Sequence, residues 1–210
     1  MLPAYARAPD AIVLGLARGG VIVAAAIAEA LGLPLDVLVV RKLALPWAPE
    51  VAFGALSAAG RIVMRDPATN ALTSGALRSG ALRSGALVSP DLVDGVIARQ
   101  HADAIRLEAL YRRGRPPLDL TGRTALLVDD GLATGATADA AIATARHLGA
   151  VRVVFAVPVG APDTLVDLAA GVDDIVCPLR PANFVAVSLY YEDFDQTTDE
   201  DVVAAIAGLT

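Results

Sequence analysis

The chain has 210 residues, with 17 basic and 23 acidic side chains and a net charge of −6. That length suits a single domain with a substantial core, spanning residues 1–210, and the acidic balance leaves no electrostatic footprint for general nucleic-acid binding. Although 55% of the residues are hydrophobic, the longest apolar runs, such as Val21 to Ala28, are far too short to span a bilayer, so neither nucleic acid nor a membrane is expected as a partner.

Met1 to Asp10 reads as a short irregular lead without the features of a secretion signal, which makes a cytoplasmic address the expectation. The run "AIVLGL", Ala11 to Leu16, is the first buried strand, and Gly20 to Leu31 is a helix stopped by Gly32. A second strand, "LDVLVV", follows at Leu35 to Val40. "FGALSAAGRIVM", Phe53 to Met64, reads as a hairpin turning at Ala59 and Gly60. In Ala71 to Ser89 the pattern Ala-Leu-x-Ser recurs four times with a period of five. That period matches neither a helix face nor a strand face, so a flexible insertion is expected there.

The charged amphipathic stretch that begins at Asp91 predicts a long helix ending before Pro116, with His101 on its exposed side. "TALLVD", Thr124 to Asp129, is the third strand, and Thr137 to Leu148 is a helix stopped by Gly149, with His147 near its end. "VRVVFAV", Val151 to Val157, and the shorter "DIVC" complete the strands. The lone Cys177 permits no internal disulfide and reads as a small buried hydrophobe. Strand, helix, strand twice over implies an α/β fold, a parallel sheet with helices on its faces, whose ligands collect at the carboxyl ends of the strands.

Asp129 and Asp130 emerge at such an end. After them Gly131, Leu132, Ala133, Thr134, Gly135, Ala136 and Thr137 form a loop of small and hydroxyl residues that runs into a helix N-terminus. Glycines let backbone N–H groups converge on an anion, and the helix dipole favours the same charge. This is a phosphate cradle. It is not of the Walker type, because Leu132 to Ala150 holds no lysine. The carboxylates would repel a phosphate, so they should face hydroxyl groups or a metal beside it. A phosphorylated sugar satisfies both halves.

"LLVDDGLATGAT" resembles the phosphoribosyl pyrophosphate signature of the type I phosphoribosyltransferases. "GLARGG", Gly15 to Gly20, follows the first strand where the family's pyrophosphate loop lies, and "VRKLALPWAPEVAFGAL" follows the second. With "VPV" and a tail like "FVAVSLYYEDFDQTTDED", the likeness is closest to a bacterial and archaeal subgroup and covers nearly the whole chain.

The resemblance implies a twisted, mostly parallel sheet flanked by helices, a small C-terminal hood at about residues 178–200, and a flexible lid at about residues 46–89. It implies an enzyme that moves ribose 5-phosphate from phosphoribosyl pyrophosphate to a nitrogenous base, releasing pyrophosphate with Mg²⁺. Gly131 to Thr137 would hold the 5-phosphate. Asp129 and Asp130 would bind the ribose hydroxyls and, directly or through them, Mg²⁺. Arg18, Gly19, Gly20, Arg41 and Lys42 would hold the pyrophosphate, with Arg18 and Lys42 acting in catalysis beside the two acids. Phe184 would stack on the base, and the Val185 backbone would read its edge.

Two departures weigh against a 6-oxopurine: Ala133 stands where such enzymes carry an aspartate, and Val154 to Val159 lacks their lysine. The alternatives are a non-catalytic regulator that binds phosphoribosyl pyrophosphate or a nucleotide, and an accessory subunit that kept only the fold. Dimers are common in the family, so the resemblance admits a homodimer.

Overall fold

The computed structural model describes residues 2–45, 48–64 and 90–208. Its main sheet is built from β1 (Ala11–Leu16), β2 (Leu35–Leu38), β6 (Thr124–Val128), β7 (Arg152–Ala156) and β8 (Asp174–Val176) in the order β2-β1-β6-β7-β8. Every pairing in it is parallel. β1 and β6 are buried along their whole length, which is why they read as unbroken apolar runs rather than alternating ones.

Helices cover both faces. Ala11, Val13, Leu126 and Val128 pack on one face against Ala24 and Ala28 of α1 (Gly19–Leu31). Ile12, Leu14, Ala125 and Leu127 pack on the other against Ala138, Ala141 and Ile142 of α3 (Ala136–His147). The alternation follows from the two-residue period of a strand. At Gly15 the fit is tighter still: a Cβ there would lie 2.6 Å from the Val21 Cα.

The expected second strand divides. Pairing of β1 with β2 ends at Leu16 and Leu38, and the chain then turns away into a separate antiparallel sheet of β3 (Val40–Leu45), β4 (Ala48–Ser57) and β5 (Ile62–Met64). The run Leu35 to Val40 is therefore two strands with Val39 between them. The hairpin of Phe53 to Met64 forms, with Gly60 at φ +77° where a side chain would be strained. Residues 48–64 of the expected lid thus form two strands and the turn between them, while residues 46–47 and 65–89, which include the Ala-Leu-x-Ser repeats, lie outside the described residues.

α2 (Pro90–Tyr111) closes this sheet from one side through Val96, Ala104 and Leu107, which pack on Leu43 and Leu56. His101 is half-buried rather than solvent-facing, because its Nε2–H donates to the Ala58 carbonyl beneath the hairpin (3.2 Å). Past the end of α2, the buried Arg112 forks onto both oxygens of Asp36 (3.0 and 3.1 Å) and fixes the helix against β2. Among the described residues no helix is long and apolar enough to cross a membrane.

Two helices were not expected. α4 (Pro162–Leu168) starts with proline in its first turn, and α5 (Asp199–Ala207) packs Val202 and Ile206 into the α2 side of the core. α5 begins with a capping box: Thr198 Oγ1 accepts from the Asp201 amide, and Asp201 accepts from the Thr198 amide. Thr198→Ala should lower Tm by roughly 2–4 °C at neutral pH. The Thr198 amide and hydroxyl both donate to the Asp201 carboxyl and hold it below its ordinary pKa. Its stabilising share is present above the unfolded value and lost as pH falls, so the deficit should fade in acid. Calorimetric melting at pH 7 and pH 3 checks both, and an unchanged Tm at pH 7 would contradict the cap.

Candidate functional site

The carboxyl ends of β1 and β6 lie side by side, with Gly15 opposite Val128. From β6 emerge Asp129 and Asp130, and from β1 comes the turn Ala17–Arg18–Gly19–Gly20 that opens α1. These two turns touch. A Cβ on Gly20 would lie 2.6 Å from the Val128 carbonyl oxygen and 2.8 Å from the Asp129 Cα, and one on Gly19 would overlap the Asp130 carboxylate. Glycine at both positions is what lets the turns approach so closely.

The two acids face differently. Asp129 Oδ1 accepts the Asp130 amide (3.0 Å) and lies behind Gly20, whereas Asp130 lines an open cleft of about 560 Å³. Both pKa values are raised: Asp129 well above the carboxylate norm by burial and then by the neighbouring Asp130 charge, Asp130 by its own burial. Each keeps some exposed surface. Two desolvated acids in sequence are costly unless a ligand supplies donors or positive charge.

The loop from Gly131 to Thr137 is pinned from behind. The Leu132 amide donates to the Val159 carbonyl (2.9 Å), and the Leu132 carbonyl accepts from the Ala161 amide (2.8 Å). Thr164 Oγ1 donates to the Ala133 carbonyl (2.7 Å). Gly135 takes a left-handed conformation at φ +80° as the N-cap of α3, with no side-chain cap. Ala136 and Thr137 open that helix, so its first-turn N–H groups face the loop's concave side. Ala133 and Thr134 are exposed.

Arg18 is the cation of the opposite turn. Its Nη1 is 3.5 Å from Asp199 Oδ1, and Asp199 in turn accepts a 2.6 Å hydrogen bond from the buried Tyr111. Burial is the main reason the Tyr111 phenol is pushed up, so it stays a donor. Arg18 lines both the main cleft and a smaller cavity of about 180 Å³ behind it, beside Arg41, Arg106 and Asp103.

Arg41 and Lys42 sit in β3 and belong to opposite faces of the strand. Arg41 is engaged by α2, through Gln100 (3.2 Å) and Asp103 (3.0 Å). Lys42 pairs with Ala55 on the face of Val40, which packs in the α3-side core. Neither residue lines the main cleft.

The tail closes the cleft from above. Tyr191 donates to the Asp130 carbonyl (2.6 Å), its phenol pushed to about 12 mainly by burial, and Val187 rests on Gly131, where a Cβ would lie 2.5 Å from both valine methyls. Phe184 stacks on Tyr190 (5.9 Å, 13°), and Val185 is exposed. Tyr191 and Phe194, tilted together at 5.1 Å, are the aromatic rings on the cleft itself. Cys177 is buried, as its apolar surroundings suggested, and donates to the Leu179 carbonyl (3.2 Å).

No family model matches the chain. Curated relatives do: in two strains of Mycobacterium tuberculosis, proteins each named "Putative phosphoribosyl transferase" are 45% identical over 193 residues, 92% of this chain. The chain spans 40% of the length of those relatives. Among solved structures, the protein TT1426 from Thermus thermophilus is 39% identical and superposes with a TM-score of 0.74, covering 99% of this chain and 94% of that one. The fold is α/β, a parallel central sheet flanked by helices, and over 92% of its length the chain is similar to those curated proteins named putative phosphoribosyl transferase.

Proposed function

We propose that this site transfers a 5-phosphoribosyl group from phosphoribosyl pyrophosphate to a nitrogenous acceptor and releases pyrophosphate. The observation that carries the proposal is the junction of β1 and β6. Two desolvated acids there sit between an anion-binding loop at the start of α3 and an arginine–glycine turn at the start of α1.

The 5-phosphate fits the Gly131–Thr137 loop, where N–H groups and hydroxyls supply hydrogen bonds that a carboxylate cannot. The ribose 2- and 3-hydroxyls donate to Asp129 and Asp130. These acids are costly to leave unpaired in the ligand-free protein and so gain most from such donors. The pyrophosphate faces Arg18, whose planar fork matches phosphate oxygens, and the Gly19 amide. Charge develops on the leaving group as the C1–oxygen bond stretches. Fixed donors there therefore act more strongly on the transition state than on the substrate.

Among the described residues no three His, Cys, Asp or Glu side chains gather into a metal cage. Two adjacent carboxylates do fit Mg²⁺, which keeps several waters and takes ligand oxygens readily. Asp129 and Asp130 would hold it, directly or through the ribose hydroxyls, and when bound it would neutralise pyrophosphate charge.

Calorimetric titration with phosphoribosyl pyrophosphate and Mg²⁺, followed by pyrophosphate release measured over a panel of bases, tests the reading. Binding with base-dependent release is the expected result. Binding without release would mark a regulatory protein, and no binding would overturn the proposal.

A further inference from the structure

From Gly131 to Ala145 the loop after β6 and most of α3 carry no lysine, arginine or histidine. A phosphate in that loop is therefore held by backbone N–H groups and hydroxyls, whose strength depends on where they point. A peptide unit is planar and trans, so its N–H and C=O point in opposite directions. Anchoring a carbonyl on one side of the loop aims the amide of the same unit at the other side.

Two successive units of the loop are anchored in this way. The Leu132 carbonyl accepts from the Ala161 amide (2.8 Å), which sends the Ala133 N–H toward the concave side. The Ala133 carbonyl accepts from Thr164 Oγ1 (2.7 Å), which sends the Thr134 N–H the same way. Both donors lie where the chain enters α4, Ala161 as its N-cap and Thr164 in its first turn. Gly135 then turns the chain into α3, whose first amides continue the row. The first anchor is a backbone amide, which almost any residue supplies. The second requires a hydroxyl at one position, because only a side-chain donor reaches that carbonyl.

We propose that Thr164 is a positioning residue for the 5-phosphate, its hydroxyl holding the Ala133–Thr134 peptide so that the Thr134 amide faces the anion. The inference rests on the phosphoribosyl transfer proposed above and deepens it. The hydrogen bond is solvent-exposed and so is Ala133. Water can satisfy the carbonyl when the hydroxyl is removed, so the bond adds little to folding. Its effect falls on direction. Without it the peptide unit can turn about its two flanking bonds, and each turn takes a donor away from the phosphate. An N–H bonded to a charged oxygen is about twice as strong as one between neutral groups, and the loop has no cationic side chain to make up the loss.

The test is isothermal titration of the wild-type chain, Thr164→Val and Thr164→Ser with ribose 5-phosphate and, separately, with pyrophosphate and Mg²⁺, together with the Tm of each protein. Valine keeps the branched shape and removes the hydroxyl, whereas serine keeps the hydroxyl and removes the methyl group. Thr164→Val should weaken ribose 5-phosphate binding by about tenfold. Thr164→Ser should stay within about twofold of the wild type. Pyrophosphate meets the Arg18 turn rather than this loop, so its affinity should hold within about twofold in both variants, and Tm within about 2 °C.

Wild-type affinity for ribose 5-phosphate in Thr164→Val would overturn this inference alone. So would equal losses for ribose 5-phosphate and pyrophosphate, which would mark a general loosening of the site, or a serine variant as weak as the valine one, which would assign the effect to the methyl group. A wild-type chain that binds neither ribose 5-phosphate nor phosphoribosyl pyrophosphate would overturn the transfer reading, and this inference with it.

Discussion

Replacing both acids at the end of β6, Asp129→Asn with Asp130→Asn, is expected to abolish measurable binding of phosphoribosyl pyrophosphate while raising Tm. The two effects share a cause. Burial raises both carboxyl pKa values, and the neighbouring Asp130 charge raises that of Asp129 further. A raised carboxyl pKa means that the folded state holds its proton more tightly than the unfolded state does. The associated stability is full in acid and is lost as pH rises from about 3.8 through the folded value. At neutral pH the ionised pair therefore weighs against folding.

Asparagine removes that charge and keeps an oxygen to accept the Asp130 amide now bound by Asp129 Oδ1. The gain should be roughly 2–6 °C, the shift expected of about 1–2 kcal/mol in a domain of this size. Tm should also vary less with pH between about 4 and 7 than in the parent. Differential scanning calorimetry reads the stability and isothermal titration reads the binding. Unchanged affinity would remove the two acids from the site, and a lower Tm would show that they support the fold instead.

The elements readable from the chain were those whose local pattern and final environment agree. Strands β1, β6 and β7 are buried on both faces, so their residues are apolar without alternation, and α1 ends where Gly32 takes φ +63°. The split at Val39 was not readable. Leu35 to Val40 is one apolar run, and only the partners differ: β1 for Leu35 to Leu38, β4 for Val40 onward. No local propensity distinguishes those two pairings. α5 had a signal, the Thr198 to Asp201 capping box before "VVAAIA", but a tail read as hood to about residue 200 hid it.

The site divides along the same line. Asp129, Asp130 and the loop to Thr137 come from one contiguous segment, and their placement at a strand end followed from sequence. The Arg18–Asp199–Tyr111 chain joins residues far apart, and the tail side chains of the cleft reach it only through the path of the hood. Arg41 carried the right chemistry for an anion, yet in the structure Asp103 and Gln100 of α2 engage it. Sequence position next to a strand end could not reveal which helix would pack there.

Gly19→Ala should cost about 100-fold or more in affinity for phosphoribosyl pyrophosphate, near 2.7 kcal/mol, with Tm held within about 3 °C of the parent. Gly19 opens α1 and its backbone conformation suits any L-residue, so alanine brings no strain and a better helix propensity. What the new methyl group meets is the end of the Asp130 side chain. A carboxylate at a solvent-facing cleft can rotate aside at little cost to folding, but in doing so it leaves the position from which it would accept ribose hydroxyls. Errors of about an ångström in a positioned group are enough to cost two orders of magnitude. Gly20→Ala is the contrasting variant. Its methyl group would press on the Val128 carbonyl and the Asp129 Cα, which cannot rotate away, so its loss should appear in Tm as well. Titration and melting of the two variants together separate a displaced ligand group from a displaced backbone. Parent-like affinity in Gly19→Ala would mean that Asp130 does not touch the ligand, and the contact at the junction of β1 and β6 would then be structural alone.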